Sequence, residues 1–214
     1  MRSPQTLSEA DRRTVAAWAA DCAERVLALA EDGGPCDGDA LAEGPQAGEP
    51  QAHEPQAEEP QAPGSRDAGA REAIARTRAF AHGESDVAGE ILRRFTNGGA
   101  ARDAPTPAAH AARKAAGQAA AVAHMGAHAL GAAAYAAKAA GLAAPDHEDA
   151  AVADEVRWQL ERASPAVRAA LQKLPALGED RSGPLGPGLL ASGRLGAVIR
   201  ELQAGLRREP GPGR

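Results

Sequence analysis

The sequence predicts an all-α fold, an array of about six to eight paired antiparallel helices with one long acidic insert. Three observations predict it. Alanine supplies 56 of the 214 residues, whereas Leu, Ile, Val and Phe together supply 30. Alanine has the highest helix propensity and lets helix axes approach closely, so thin helices and a modest core are expected. Apolar residues recur at three- and four-residue spacing in several windows, and Gly or Pro clusters separate those windows.

The first helix falls within 5–32. Thr6 and Glu9 make a capping-box pair, with Ser8 as a competing cap. Val15, Trp18, Ala19, Cys22, Val26 and Leu29 follow at helical spacing, and Gly33-Gly34-Pro35 stops the run. Arg12, Arg13, Asp21, Glu24, Arg25 and Glu31 occupy mostly the opposite face. Residues 33–67 form the insert, where proline returns every fifth residue at Pro45, Pro50, Pro55 and Pro60. That spacing forbids a continuous helix, and the acidic charge repels itself, so a disordered tether is expected.

The rest of the single helical domain spans 68–208. Helix resumes near Asp67, with Ile74, Thr77 and Phe80/Ala81 inward and Gly83 as the stop. Ser85 can cap a short helix carrying Val87, Ile91 and Phe95, ending at Asn97-Gly98-Gly99. Thr106 as N-cap and Pro107 at the first helical position open the alanine-rich stretch. Unbroken to Ala143, that helix would be about 55 Å long, longer than a small domain is wide. A break between Gly126 and Gly131 is therefore expected. A helix over Glu148–Ala163 carries Val152, Val156 and Leu160, and Ser164-Pro165 starts another through Leu174. Leu195, Val198, Ile199, Leu202 and Leu206 define an amphipathic final helix, and 209–214 form a disordered tail.

Charge and composition exclude several functions. Residues 31–67 hold ten acidic residues and one arginine, while the remainder holds nineteen acidic and twenty-three basic residues. The helical part is therefore neither a strongly basic nucleic-acid surface nor an acidic decoy. No secretory leader is expected, because Asp11, Arg12 and Arg13 come almost at once. His110, Arg113, Lys114, His124, His128 and Lys138 interrupt the alanine stretch, which argues against a membrane span. Cys22 on an apolar helix face and Cys36 in a loop suit a reducing cytoplasm.

Chemistry-bearing motifs are sparse. His124 and His128 stand four apart, the spacing at which two histidines on one helix face share a zinc ion, and His110 lies close to four turns earlier. The glutamate of a helical metalloprotease is missing, so structural or partner-facing histidines are preferred and no metal is expected. Nucleophile-elbow, P-loop and dinucleotide signatures are absent. Glu148, Asp149, Asp154 and Glu155 cluster near a helix start, where negative charge favours the macrodipole, and read as capping. Trp158 lies about 200° around the helix from Val156 and misses the apolar stripe. Either a neighbouring helix covers it or it is an interface anchor, and it is the candidate partner-binding residue.

Several segments together resemble one family. They are Ala16–Leu27, Arg71-Glu72-Ala73-Ile74, Ala123–Ala136 with His124-Met125-Gly126-Ala127-His128 inside it, Arg157-Trp158-Gln159, and Ser164-Pro165-Ala166-Val167-Arg168. In that order they are similar to an actinobacterial immunity-protein family assigned to polymorphic-toxin systems. The resemblance implies an all-α array of paired helices and a non-catalytic role, neutralising a cognate toxin by stoichiometric occlusion. It supplies no catalytic residue and no cofactor. Two alternatives stay open: a helical metal protein or small enzyme using His124 and His128, and a scaffold or regulatory protein without a toxin partner. The partner is expected to be a protein, not a nucleic acid or a membrane, and the oligomeric state stays open.

Replacing residues 36–66 by a short Gly-Ser connection is expected to leave the helical circular-dichroism signal and melting midpoint nearly unchanged. A large loss of either would show that the segment packs on the domain.

Overall fold

The computed structural model describes residues 3–31, 64–87 and 104–208. Of the tether expected over 33–67, residues 33–63 lie outside the described residues, as do Cys36, the Ile91/Phe95 helix and the tail 209–214, whereas 64–67 are helical, not part of a tether. Eight α-helices and no strands appear among the described residues: α1 (Glu9–Arg25), α2 (Leu27–Glu31), α3 (Gly64–His82), α4 (Pro107–Ala121), α5 (His128–Leu142), α6 (Glu148–Arg162), α7 (Pro165–Leu171) and α8 (Gly193–Arg207). Short connections join α4 to α5 and α5 to α6, which makes them antiparallel neighbours. Helix α5 lies at the centre, packed against α1, α4, α6 and α8.

The composition of α5 explains its place. Ala129, Ala132, Ala133, Ala134, Ala136, Ala137 and Ala139 are all fully buried, so the helix is apolar around most of its circumference, with Lys138 half-buried. Alanine side chains keep the neighbouring axes close and cost no rotamer entropy on burial. Larger side chains fill the spaces between helices: Trp18 and Val15 from α1, Phe80 and Ile74 from α3, Val152 and Val156 from α6. Leu195, Val198, Ile199, Leu202 and Leu206 of α8 are buried, as their spacing predicts.

Helix ends follow local chemistry, with corrections. Ser8, not Thr6, caps α1, accepting a hydrogen bond from the Asp11 amide; Thr6 ends a 3-10 turn instead. The N-terminal run is two helices, because it breaks at Val26. Helix α3 begins at Gly64, ahead of the expected Asp67. Gly83 ends it at φ 83°, a left-handed conformation suited to glycine. Thr106 and Pro107 open α4 as expected, and Ser164 caps α7 through the Val167 amide.

The break in the alanine stretch occupies 122–127, earlier than the expected Gly126–Gly131, and Gly131 is inside α5. Its position is set from the other end of the chain. The amides of Gly126 and Ala127 donate to the carbonyls of Thr6 and Gln5 at 3.2 and 3.0 Å. A Cβ at Gly126 would meet the Leu7 side chain, which would have to shift, so glycine suits this approach. The buried Gln5 side chain completes the clamp. Its Nε2 donates to Asp180 Oδ2 at 2.8 Å and to the Ser182 carbonyl, while its Oε1 accepts from the Leu185 amide at 2.9 Å.

Arginines bind the frame at helix ends, and Arg12, expected on the polar face, is among them. It is buried and donates to the Leu7 carbonyl at 3.1 Å. Arg13 donates to the Phe80 carbonyl at the end of α3 and lies 4.6 Å from the Phe80 ring centroid. Arg113 reaches the Ala30 carbonyl, and Arg168 reaches those of Leu160, Ala163 and Gly205. A cation at a helix C-terminus satisfies orphan carbonyls and opposes the macrodipole.

Substituting Ala133→Leu, at a fully buried site on α5, is expected to destabilise the fold by about 1–3 kcal/mol, because close axes leave no room for three more carbons. Chemical denaturation measures it, and an unchanged midpoint would show loose packing around α5.

Candidate functional sites

Two regions carry chemistry-bearing side chains at the surface. The first is built where side chains of α1 reach α6. Trp18 is buried and donates from Nε1 to the Gln159 carbonyl at 2.9 Å. Gln159, fully buried, spends both amide donors on the Ala133 carbonyl at 3.1 Å and Glu155 Oε1 at 3.0 Å. Glu155 is 3% exposed, and Arg25 Nε donates to its Oε2 at 2.6 Å. The capping role expected for Glu155 is therefore wrong, since its charge is sealed against α1. Within the same carboxylate group, Glu148 and Asp149 in the first turn of α6 do pair with Arg194, while Asp154 pairs with Arg157 on the surface.

Arg25 also shapes the surface above this knot. Its guanidinium carbon lies 4.5 Å from the Trp158 ring centroid, and that of Arg162 lies 5.4 Å away. Trp158 is half-buried, packed on one side against the core and flanked by these two cations. Arg78 of α3 joins from the side, held by Asp21 Oδ1 at 2.9 Å and by Glu24. The ring faces a hollow of about 280 Å³ lined by Asp21, Glu24, Arg25, Trp158 and Arg162. A second hollow, of about 410 Å³, runs on between α1, the end of α3 and the start of α7, with Asp21 and Arg162 in both walls. Cys22 lies beneath; burial, aided by the nearby Glu155 charge, pushes its thiol well up, which makes it a poor nucleophile.

The second region surrounds the α4–α5 break. His124 lies in the turn and His128 is the first residue of α5, so the two do not share one helix face as their spacing suggests. Their ring centroids are 5.0 Å apart at 49°. The break also takes His110, exposed on α4, out of register with them. No group of three or more His, Cys, Asp or Glu side chains that could hold a metal ion occurs among the described residues. Instead, His128 Nδ1 bonds to Gln118 Oε1 at 2.8 Å. Gly131 allows this, because a Cβ there would collide with the Gln118 amide. Burial, and secondarily the charge of His124, lowers the His128 pKa from 6.5 to about 3. A hollow of about 450 Å³ opens here, with Tyr135 in its wall. Burial raises the Tyr135 pKa, keeping its hydroxyl protonated.

The sequence singled out Trp158, His124 and His128. It missed Arg25, Glu155, Gln159, Gln118 and Tyr135. Only their polar character inside otherwise apolar stripes could have signalled them.

The chain belongs to the Imm-5 like putative immunity protein family, whose model matches residues 58–166. That stretch contains α3 to α6, including the His124/His128 turn and Trp158. No curated protein and no solved structure matches significantly. No helix among the described residues is long and apolar enough to cross a membrane.

The His128 shift has a definite sign. Its folded pKa lies below the unfolded value, so the unfolded chain takes up a proton first as pH falls. Stability is fully present above about pH 6.5 and is lost towards pH 3, at most about 1.4 kcal/mol per pH unit. Asp11, held down first by its Lys173 hydrogen bond, and Asp180, by its Gln5 hydrogen bond, are lowered from 3.8 and so act in the acid end of this window, beneath pH 5. The melting midpoint is expected to fall between about pH 7.5 and 5, and His128→Gln should flatten that fall. An equal slope in both proteins would contradict the assignment.

Proposed function

We propose that the protein is a non-catalytic immunity protein that acts in the cytoplasm. It binds one toxin molecule per chain and occludes the toxin's working surface. Family membership supports the general role. The observation that carries the binding face is Trp158, half-buried beneath Arg25 and Arg162 and beside two continuous hollows.

Aromatic and arginine side chains dominate binding energy at interfaces, because both combine large contact area with directed polar groups. Arg25 is committed to Glu155, and its plane holds the indole in place. Arg162 makes no ion pair among the described residues and is exposed, so its charge is available to a carboxylate on the toxin. Occlusion needs only this surface and a rigid frame behind it. A catalytic antidote would need an activated nucleophile, and the one described cysteine is buried with a raised pKa.

Mixing the purified protein with the toxin encoded beside its gene tests this. Protection should be complete at about one chain per toxin, and Trp158→Ala should weaken binding about tenfold or more. Arg162→Glu should weaken it several-fold without moving the melting midpoint, since the side chain is exposed. Complete protection far below one chain per toxin would replace titration with catalysis, and unchanged affinity in both variants would place the contact elsewhere.

A further inference from the structure

The hollow at the α4–α5 break is unlike the Trp158 face. It is lined by Met125, Pro184, Leu189, Leu190 and glycine backbone, with Gln118, His124, His128 and Tyr135 as its polar groups. Its volume of about 450 Å³ falls within the range of small-ligand sites, about 300–1,000 Å³. No Asp, Glu, Lys or Arg lines it.

Two features mark a site with hydrogen-bonding capacity left over. Tyr135 is 5% exposed, yet its hydroxyl makes no hydrogen bond among the described residues. The ring is packed in the core while the residue lines the hollow, so a hydroxyl without a protein partner is left to water or to a ligand there. The second feature is His128, whose ring is fixed by Gln118 across the notch at Gly131. With the Gln118 oxygen accepting, Nδ1 carries the proton and the other ring nitrogen keeps a lone pair for a donor. Leu189, at the rim, is 70% exposed, the exposed large apolar side chain of the described residues. A bound ring would cover it.

We propose that this hollow is a binding site for an uncharged aromatic ring bearing a hydroxyl or ring N–H. Apolar walls and a lining without Asp, Glu, Lys or Arg favour an uncharged ring, since a charge buried here would meet no permanently charged partner. The Met125 thioether and the Pro184 ring offer soft, flat contacts that suit an aromatic face. A phenol serves both polar groups: its O–H donates to the free His128 nitrogen while its oxygen accepts from Tyr135. The site goes beyond the immunity role and does not depend on it. Such a ring could be a free small molecule or a tyrosine side chain, and the chemistry is shared.

Titration with p-cresol, followed by NMR of labelled His and Tyr side chains in the full chain, tests the proposal. Saturable shifts of the His128 and Tyr135 signals are expected at roughly millimolar concentration or below, given so few ligand atoms. The anion 4-hydroxybenzoate should bind about tenfold more weakly or worse. Tyr135→Phe should lower p-cresol affinity about fivefold, the size of one hydrogen bond, with an unchanged melting midpoint. Leu189→Asp, on an exposed side chain, is the second variant and should also weaken binding. N-acetyl-tyrosinamide separates the sources: binding equal to p-cresol assigns a protein side chain, and much weaker binding assigns a free ring. No saturation, or affinity unchanged in both variants, would overturn the site.

Discussion

The structure depends on the close approach that alanine permits around α5. A central helix whose buried face is almost wholly methyl groups cannot gain much from any one side chain. It gains from having neighbours on every side, so that backbone and Cβ atoms of α1, α4, α6 and α8 exclude water together. Bulk is supplied from outside that centre, by Trp18, Phe80, Val156 and the leucines of α8. The price is low tolerance: close axes leave little room for larger groups at the centre.

Close axes also bring helix ends near other helices, and polar side chains exploit that. Arg13, Arg113 and Arg168 each leave one helix to satisfy terminal carbonyls of another. Gln159 ties α6 to α5 and, through Glu155 and Arg25, to α1. Gln5 ties the N-terminal turn to the 178–186 loop, while its carbonyl anchors the α4–α5 break. These contacts are directional, which an alanine interface is not, and they set where one helix stops along another. Both surface regions inherit their shape from them. The Glu155–Arg25 pair holds the cation above Trp158, and the Gln5 clamp brings the wall at Gly183 and Pro184 beside the His124 turn.

Much of the helical frame was legible because its signals are local. The period of Leu195, Val198, Ile199, Leu202 and Leu206, the Thr106-Pro107 start and the Ser164 cap each depend on neighbours within one or two turns. The break at 122–127 was misplaced because its hydrogen-bond partners are Gln5 and Thr6. The histidines read as one helix face for the same reason. Arg12 was placed outside, since nothing in its neighbourhood announces that its guanidinium will turn back to the Leu7 carbonyl. Trp158 falls off the Val152/Val156/Leu160 stripe in the spacing, and its arginine cover, which joins α1 to α6, leaves no trace there.

Native-state amide hydrogen exchange, read residue by residue, tests most directly whether α5 is the element on which the frame depends. The account predicts that amides from Ala132 to Ala139 open only with global unfolding. Those of Gly126, Ala127 and Leu185, which share the Gln5 clamp, should open together at a lower free energy. Faster exchange in α5 than in α8, or independent opening of Gly126 and Leu185, would contradict it.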